Sequence, residues 1–366
     1  MATQRYDASS VVPSVISRPT IVGLGTANPE DCYSQGEILD LLKIENRRVR
    51  LLFLNSAISR RHLTLPRTGK DGPRCDETQG ELLQKHRATA IDIGARAIRS
   101  CLDEIGAQTS DVGYLCCVTT TGFLSPGISA FMIRELGLSC TCGRLDVVGM
   151  GCNAGLNALN ATAGWAAANR GQLAIMLCVE ICSAGYVLDG SMRSGVVNSL
   201  FGDGAAAAAI IAEEGGSPLM APSILKFHSR IVTDAIEAMR YDWDESHGKF
   251  SFFIDPQVPY VVGAHAEEAI NGLLSGSGVR RSEIRHWLVH SGGKKVIDAV
   301  RVNLGLSSSD LRHTTSVLRD YGNLSSGSFL FSYQRLQNEK VVEPGDYGVM
   351  MTMGPGTTIE TALLRW

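Results

Sequence analysis

Val147-Val148-Gly149-Met150-Gly151-Cys152-Asn153-Ala154-Gly155 is the stretch on which the reading of this chain turns. It runs from β-branched residues through a glycine-flanked turn into small and apolar residues, so it reads as a strand, a tight turn and a helix from about Asn153 to Asn169. A glycine directly before Cys152 lets the backbone turn sharply. The helix start then points unpaired N–H groups toward the sulfur. That is the setting of a nucleophile, whereas the other cysteines of the ten in the chain read as ordinary buried or surface thiols. Magnitudes show that Cys152 needs help. Taking a thiol from a pKa of ~8.5 to ~6 requires roughly 3.4 kcal/mol of anion stabilisation. A helix terminus contributes at best ~2 kcal/mol, so an imidazolium is the natural supplement.

Outward from this corner, apolar β-rich runs alternate with helical patterns, which defines an α/β chain. Ile21–Gly25, Gly113–Thr119, Arg144–Met150, Leu173–Val179 and Gly204–Ala212 read as strands, and Glu81–Ile105 as a long helix. A Gly/Pro-rich break at Glu213–Pro218 divides the chain into halves, 1–215 and 216–366. In the second half Pro259–Ser275, Ser291–Asn303 and Leu324–Leu336 read as helices and His286–His290 as a strand. Tyr347–Met353 and Thr358–Leu364 form a hairpin around Gly354-Pro355-Gly356. The halves rhyme. Cys152 is followed by Asn-Ala-Gly-Leu-Asn-Ala, and Asn323 by Leu-Ser-Ser-Gly-Ser. Small side chains allow close helix approach, so both helices are expected at the centre, facing each other.

Composition narrows the function. The 366 residues are 44% hydrophobic and 19% charged with a net charge of −3, which gives no broad field for nucleic acid. The longest membrane-like run, Gly204–Ala212, is far too short to span a bilayer. The cysteines show no metal-ligand spacing and Cys116-Cys117 is poor disulfide geometry, so neither a metal nor disulfides are expected. With a polar Met1–Pro19 that lacks the pattern of a secretory leader, the expectation is a reduced, cytoplasmic protein.

Two further residues sit at corners like that of Cys152. Among eight histidines, His290 ends a strand and precedes Ser291-Gly292-Gly293 and a helix. His62, His86, His228, His247, His265, His286 and His313 are placed in helical or polar loop settings. Asn323 follows Tyr321-Gly322 and precedes Leu324-Ser325-Ser326; alone, it is equally a turn residue or an N-cap.

Together, this order of Cys, His and Asn resembles the chalcone synthase superfamily, the type III polyketide synthases. The resemblance runs from Gly25-Thr26-Ala27-Asn28-Pro29 through Ser56-x-Ile58-x-Arg60-Arg61, Pro126-Gly127 and Phe201-Gly202-Asp203-Gly204-Ala205-Ala206 to Gly322-Asn323 and Gly354-Pro355-Gly356. Within it, Cys152–Asn157 and Glu180–Tyr186 look like the bacterial 3,5-dihydroxyphenylacetyl-CoA synthases of glycopeptide-antibiotic pathways.

The resemblance implies a thiolase fold, a duplicated αβαβα arrangement of five layers. It implies acyl transfer from CoA to Cys152 and decarboxylation of malonyl-CoA beside His290 and Asn323. Repeated condensation and cyclisation of a tetraketide follow. Two N–H donors suit the enolate oxygen formed on decarboxylation. Phe201 and Phe252 match the family's gatekeeper phenylalanines, Ser325 a cavity-lining position and Arg48 a basic position that contacts CoA phosphates. Leu51 and Asn55 depart from the family at two neighbouring basic positions; Arg47, Arg50, Arg60 and Arg61 are candidates to compensate or simply a solvated basic face. Ser125 replaces a methionine that reaches into the partner subunit in plant enzymes. The implied partners are malonyl-CoA, a second copy of the chain in a homodimer and companion pathway enzymes, with no cofactor beyond CoA thioesters as substrates. The competing readings are a tetrahydroxynaphthalene synthase, a ketoacyl-ACP synthase III-like enzyme and a non-catalytic thiolase-fold scaffold.

Overall fold

The computed structural model describes residues 18–66, 68–69, 72–73, 77–213 and 221–366. Nine strands form one mixed sheet. In chain order they are β1 (Pro19–Ala27), β2 (Val112–Val118), β3 (Gly143–Val147), β4 (Leu173–Glu180), β5 (Gly204–Ala212), β6 (Ser223–Ile231), β7 (Ile284–Val289), β8 (Tyr347–Gly354) and β9 (Thr358–Arg365). Across the sheet the order is β7-β8-β9-β6-β1-β5-β4-β2-β3.

The duplication is written in the pairing. In the first half β2 is parallel to β4, β4 antiparallel to β5, and β5 antiparallel to β1. The second half repeats this with β7 parallel to β8, β8 antiparallel to β9, and β9 antiparallel to β6. The halves meet at the pair Thr20↔Ser223, and only the first half adds an outer strand, β3, parallel to β2.

Three cores separate the helices into layers. One packs Ala90, Ile93 and Ile98 of the helix Gln79–Ile105 against β2, β4 and β5. The middle core joins both sheet halves to the central helices Ala154–Ala168 and Ser328–Glu339, through Leu159 and Phe329 among others. The third packs the helices Val258–Leu274 and Lys294–Leu304 on the strands of the second half. A sheet covered on both faces needs continuously apolar strands; β4 and β5 meet that need as Leu173-Ala-Ile-Met-Leu-Cys-Val179 and Gly204-Ala-Ala-Ala-Ala-Ala-Ile-Ile-Ala212, almost wholly buried. The two central helices touch closely: a Cβ at Gly155 would lie 2.3 Å from the carbonyl oxygen of Ser326.

Several elements differ from their sequence-based limits. The strand expected over Arg144–Met150 ends at Val147, because Gly149 and Gly151 take φ of 82° and 66° and turn the chain. The helix expected from Ser291 begins at Lys294, after Gly293 at φ 133°. The run from Leu324 opens as a tight 3₁₀ turn, Ser325–Gly327, before the helix from Ser328. The break expected at Glu213–Pro218 falls, beyond Glu213, outside the described residues. Unforeseen were β6, the hairpin of Met239–Asp244 with Lys249–Ile254, and the helices Ile128–Leu136, Met192–Leu200 and Arg312–Tyr321. Among the described residues no helix is long and apolar enough to cross a membrane.

Candidate active site

Cys152 sits in a 3₁₀ turn, Gly151–Asn153, that leads into the helix Ala154–Ala168. The turn is clamped from the far end of the chain. A Cβ at Gly151 would stand 2.2 Å from Pro355, and one at Gly354 would stand 3.0 Å from the Cys152 backbone nitrogen. The Gly-Pro-Gly segment is thus the back wall of the turn that carries Cys152. In front of the thiol lies a cavity whose wall includes Cys152, Phe201, Phe252 and Ser325. The Cys152 Sγ is 3.6 Å from Ser325 Oγ.

Asn323 is fixed by its backbone. Its N–H donates to Leu200 O and its carbonyl accepts from Gly202 N–H, both at 2.9 Å, in a bridge beside Phe201. Its side-chain oxygen accepts from Ser325 N–H at 2.8 Å. That leaves the amide nitrogen as the outward group, with one long contact to Gly292 O at 3.5 Å. A Cβ on Gly292 would lie 3.3 Å from His290 Nε2. Gly292 N–H donates to His290 O at 2.9 Å, so contacts run from Cys152 through Ser325, Asn323 and Gly292 to the His290 backbone. His290 and Asn323 adjoin the cavity wall without being part of its lining. The His290 backbone N–H donates to Met351 O at 2.8 Å, and the buried ring Nδ1 has no hydrogen-bond partner.

Electrostatics correct one expectation. Burial pushes the Cys152 thiol up to about 12; the Ser325 hydroxyl and the residue's own N–H pull it down, and the nearby Glu180 carboxylate pushes it further up. Burial also drives His290 down to about 3. Burial thus disfavours a lone charge on either group, so the acidic thiol expected from the sequence requires the two to ionise together. Desolvation of a lone charge outweighs a helix terminus here.

Glu180 is the main feature the sequence reading passed over. This fully buried carboxylate at the end of β4 accepts from Thr120 N–H at 2.9 Å, Thr121 Oγ1 at 3.1 Å, Ser325 Oγ at 3.3 Å and Ser326 Oγ at 2.6 Å. Burial nonetheless raises its pKa above the usual range. Thr120, Thr121 and Tyr241 also face the cavity. A charge at the end of an apolar strand, with no basic neighbour in sequence, was the available signal for Glu180. Tyr241 lies in the unforeseen hairpin, opposite Phe252.

The remaining predicted residues divide cleanly. Phe201 and Phe252 meet edge to face, with ring centroids 5.9 Å apart, on the cavity wall. Ser325, at φ 50°, links Cys152, Asn323, Thr120 and Glu180. Arg48 is exposed on the helix Arg47–Leu54, away from the cavity lining. That helix backs onto the helix Met192–Leu200, whose Val197 does line the cavity. Arg61, considered for the basic face, is instead fully buried. His86 is buried in the helix Gln79–Ile105, a helical setting as expected, and faces Thr119 and Thr121; His286 is buried on the strand β7, neither helical nor in a loop, and pairs with Asp346 at 2.8 Å. No His, Cys, Asp or Glu cluster among the described residues could hold a metal.

The family models described as "Chalcone and stilbene synthases", N-terminal and C-terminal domains, match residues 14–214 and 238–366. The chain belongs to this family, the type III polyketide synthases. It is 62% identical over 357 residues to the 3,5-dihydroxyphenylacetyl-CoA synthase of Amycolatopsis balhimycina, covering 98% of this chain and 95% of that one. A type III synthase structure, PKS-I from the brown alga Ectocarpus siliculosus, superposes with a TM-score of 0.88 at 25% identity, covering 95% of this chain and 98% of that one. The 1,3,6,8-tetrahydroxynaphthalene synthase of Streptomyces coelicolor gives 0.86 at 26% identity, with 95% and 99% covered. The layered, duplicated architecture is accordingly the thiolase-like fold of the type III synthases, which are acyl-transferring enzymes.

Proposed function

We propose that this chain condenses malonyl-CoA units on Cys152 and cyclises the tetraketide to 3,5-dihydroxyphenylacetyl-CoA. The observation that carries the chemistry is the enclosed thiol joined through Ser325 to Asn323 and, past Gly292, to His290. Near full-length identity to a synthase of that name supports the product.

The neutral state of the site suits its work. With Cys152 held up and His290 held down, neither ionises alone. Passing the thiol proton to the imidazole creates both charges together, so each compensates the other's burial. The thiolate attacks the acyl-CoA carbonyl and expels CoA as its thiolate, which takes the proton back from the imidazolium, leaving the thioester on Cys152 and a neutral His290. A second malonyl-CoA loses carbon dioxide, and its enolate oxygen is met by the Asn323 amide and the neutral His290 N–H, uncharged donors that need no counter-ion in a dry cavity. The enolate carbon then attacks the Cys152 thioester and returns the sulfur as thiolate. Phe201 and Phe252 gate the cavity, Ser325 lines it, and Arg48 awaits the CoA phosphates at its outer side.

The reading also places the enzyme in the cytoplasm as a homodimer with no resident cofactor. Half-exposed Phe123 and Val148 and the outermost strand β3 leave apolar surface open near the Cys152 corner, which supports pairing of two copies. Incubation with malonyl-CoA alone, followed by mass spectrometry, is the test. A cyclised tetraketide still attached to CoA is the expected product. A CoA-free pentaketide would make the enzyme a tetrahydroxynaphthalene synthase, and turnover with malonyl-ACP alone would make it a carrier-protein enzyme.

A further inference from the structure

Arg61 stands out as a buried charge whose hydrogen-bond acceptors among the described residues are all neutral, with Asp203 acting on it only through its field. It is fully buried, and its Nη1 donates to Asn198 O at 2.8 Å, Phe201 O at 2.6 Å and Tyr186 Oη at 2.8 Å. Its Nη2 donates to Gln35 Oε1 at 2.7 Å, and Gln35 in turn donates to Ser199 O at 2.8 Å. Tyr186 Oη closes the cluster by donating to Phe201 O at 2.6 Å. These carbonyls belong to the C-terminal end of the helix Met192–Leu200 and the residue after it. A helix end leaves carbonyls without intrahelical partners and carries partial negative charge. The guanidinium answers both needs, and its planar fork reaches acceptors that a single ammonium point cannot.

What the helix end holds is the site. Leu200 O receives the N–H of Asn323, and Gly202 N–H donates to the Asn323 carbonyl. The aliphatic stem of Arg61 also presses on the residue before Asn323, since a Cβ at Gly322 would lie 2.7 Å from Arg61 Cδ. Arg61 thus touches Phe201, one partner of the Phe201–Asn323 bridge, and Gly322, the residue before the other, without lining the cavity.

We infer that Arg61 is a positioning residue: by gripping the carbonyls that end the helix Met192–Leu200, it sets where the Asn323 amide and the Phe201 ring stand. The inference rests on the reading of Asn323 as the enolate donor. It separates two half-reactions, because acylation of Cys152 depends on the opposite corner, whereas decarboxylation depends on the amide Arg61 holds.

The test uses the full-length enzyme and two readouts: acylation of Cys152 by acetyl-CoA, followed by intact mass, and release of carbon dioxide from malonyl-CoA. Arg61→Lys is expected to acylate within about threefold of wild type. Its decarboxylation kcat is expected to fall about 10–100-fold, the scale of a small displacement of a reacting group, with KM little changed. Tyr186→Phe, which removes one hydroxyl from the cluster and keeps the ring, is expected to show the same split at about 3–10-fold and keeps the question answerable if Arg61→Lys does not fold. In an Arg61→Lys/Asn323→Ala double variant the losses are expected not to add, because both changes act on one amide. Equal loss in both half-reactions, or full additivity, would reduce Arg61 to a folding role and overturn the inference. Full decarboxylation in Asn323→Ala would instead remove the enolate-donor reading beneath it.

Discussion

The corner that carries Cys152 and the corner that carries Asn323 are the same piece of architecture used twice. Each is a 3₁₀ turn, Gly151–Asn153 or Ser325–Gly327, feeding a central helix. Each has a glycine of positive φ just upstream, Gly151 or Gly322. They differ in what surrounds them. Cys152 opens into the cavity, with its turn backed by Pro355. Asn323 is tied by its backbone to Leu200 and Gly202 and turns only its amide outward. In the proposed mechanism one corner exposes the nucleophile and the other fixes a donor, so a duplicated frame yields two unlike tools once the neighbours diverge.

That division of labour is open to attack. Cys152→Ala is expected to abolish product while malonyl-CoA still slowly loses carbon dioxide, because the donor corner survives; product formation by this variant would end the nucleophile assignment. Asn323→Ala is expected to lower decarboxylation by ~10²–10³-fold with Cys152 alkylation rates unchanged. An unimpaired carbon dioxide release would show that the second corner has no catalytic share.

A finer asymmetry lies in the two helices. A methyl at Gly155 meets the Ser326 carbonyl oxygen at 2.3 Å, whereas one at Gly327 meets nothing nearer than Cys178 Cβ at 3.5 Å. Gly155→Ala is expected to destabilise the fold by about 1–3 kcal/mol. Gly327→Ala is expected to stay within about 1 kcal/mol of wild type. Thermal melts of the two variants decide it, and equal melting temperatures would show that the central helices give way where the structure has them touch.

A further contrast concerns protons. Each half buries a neutral histidine beside an equivalent strand end: His86, held down to about 4, contacts Thr119 and Thr121 after β2, and His290, held down to about 3, follows β7. Below the unfolded-state value of about 6.5 the unfolded chain binds protons that these folded rings refuse. Stability is therefore full above that value and falls with pH toward about 4 and 3, by up to about 1.4 kcal/mol per pH unit for each ring. Melts between pH 8 and 5 check the slope, and His290→Gln should lessen it; an unchanged slope would mean that His290 is already protonated in the folded enzyme.

The residues legible in the sequence were those whose neighbours in the chain declare their setting. The strands β4 and β5, buried on both faces, show it as unbroken apolar runs, and the glycine corners around Cys152, His290 and Asn323 show it as turn chemistry. Arg61 and Glu180 could not be read this way. A charged side chain looks like surface until distant groups are brought to it, and their partners, Asn198 and Phe201 for one, Thr120 and Ser326 for the other, come from remote segments. The hairpin that brings Tyr241 to Phe252 escaped notice because its strands mix charged and aromatic residues without a clean period. The acidity of Cys152 was misjudged for a related reason: the sequence displays the helix start but not the depth at which the sulfur lies.

The loop Gly354-Pro355-Gly356 belongs to the second half of the duplication, yet it packs against the turn at Cys152 in the first. The surroundings of the thiol are therefore complete only where the two halves dock, and a substitution in the closing hairpin is felt at Cys152 across the seam.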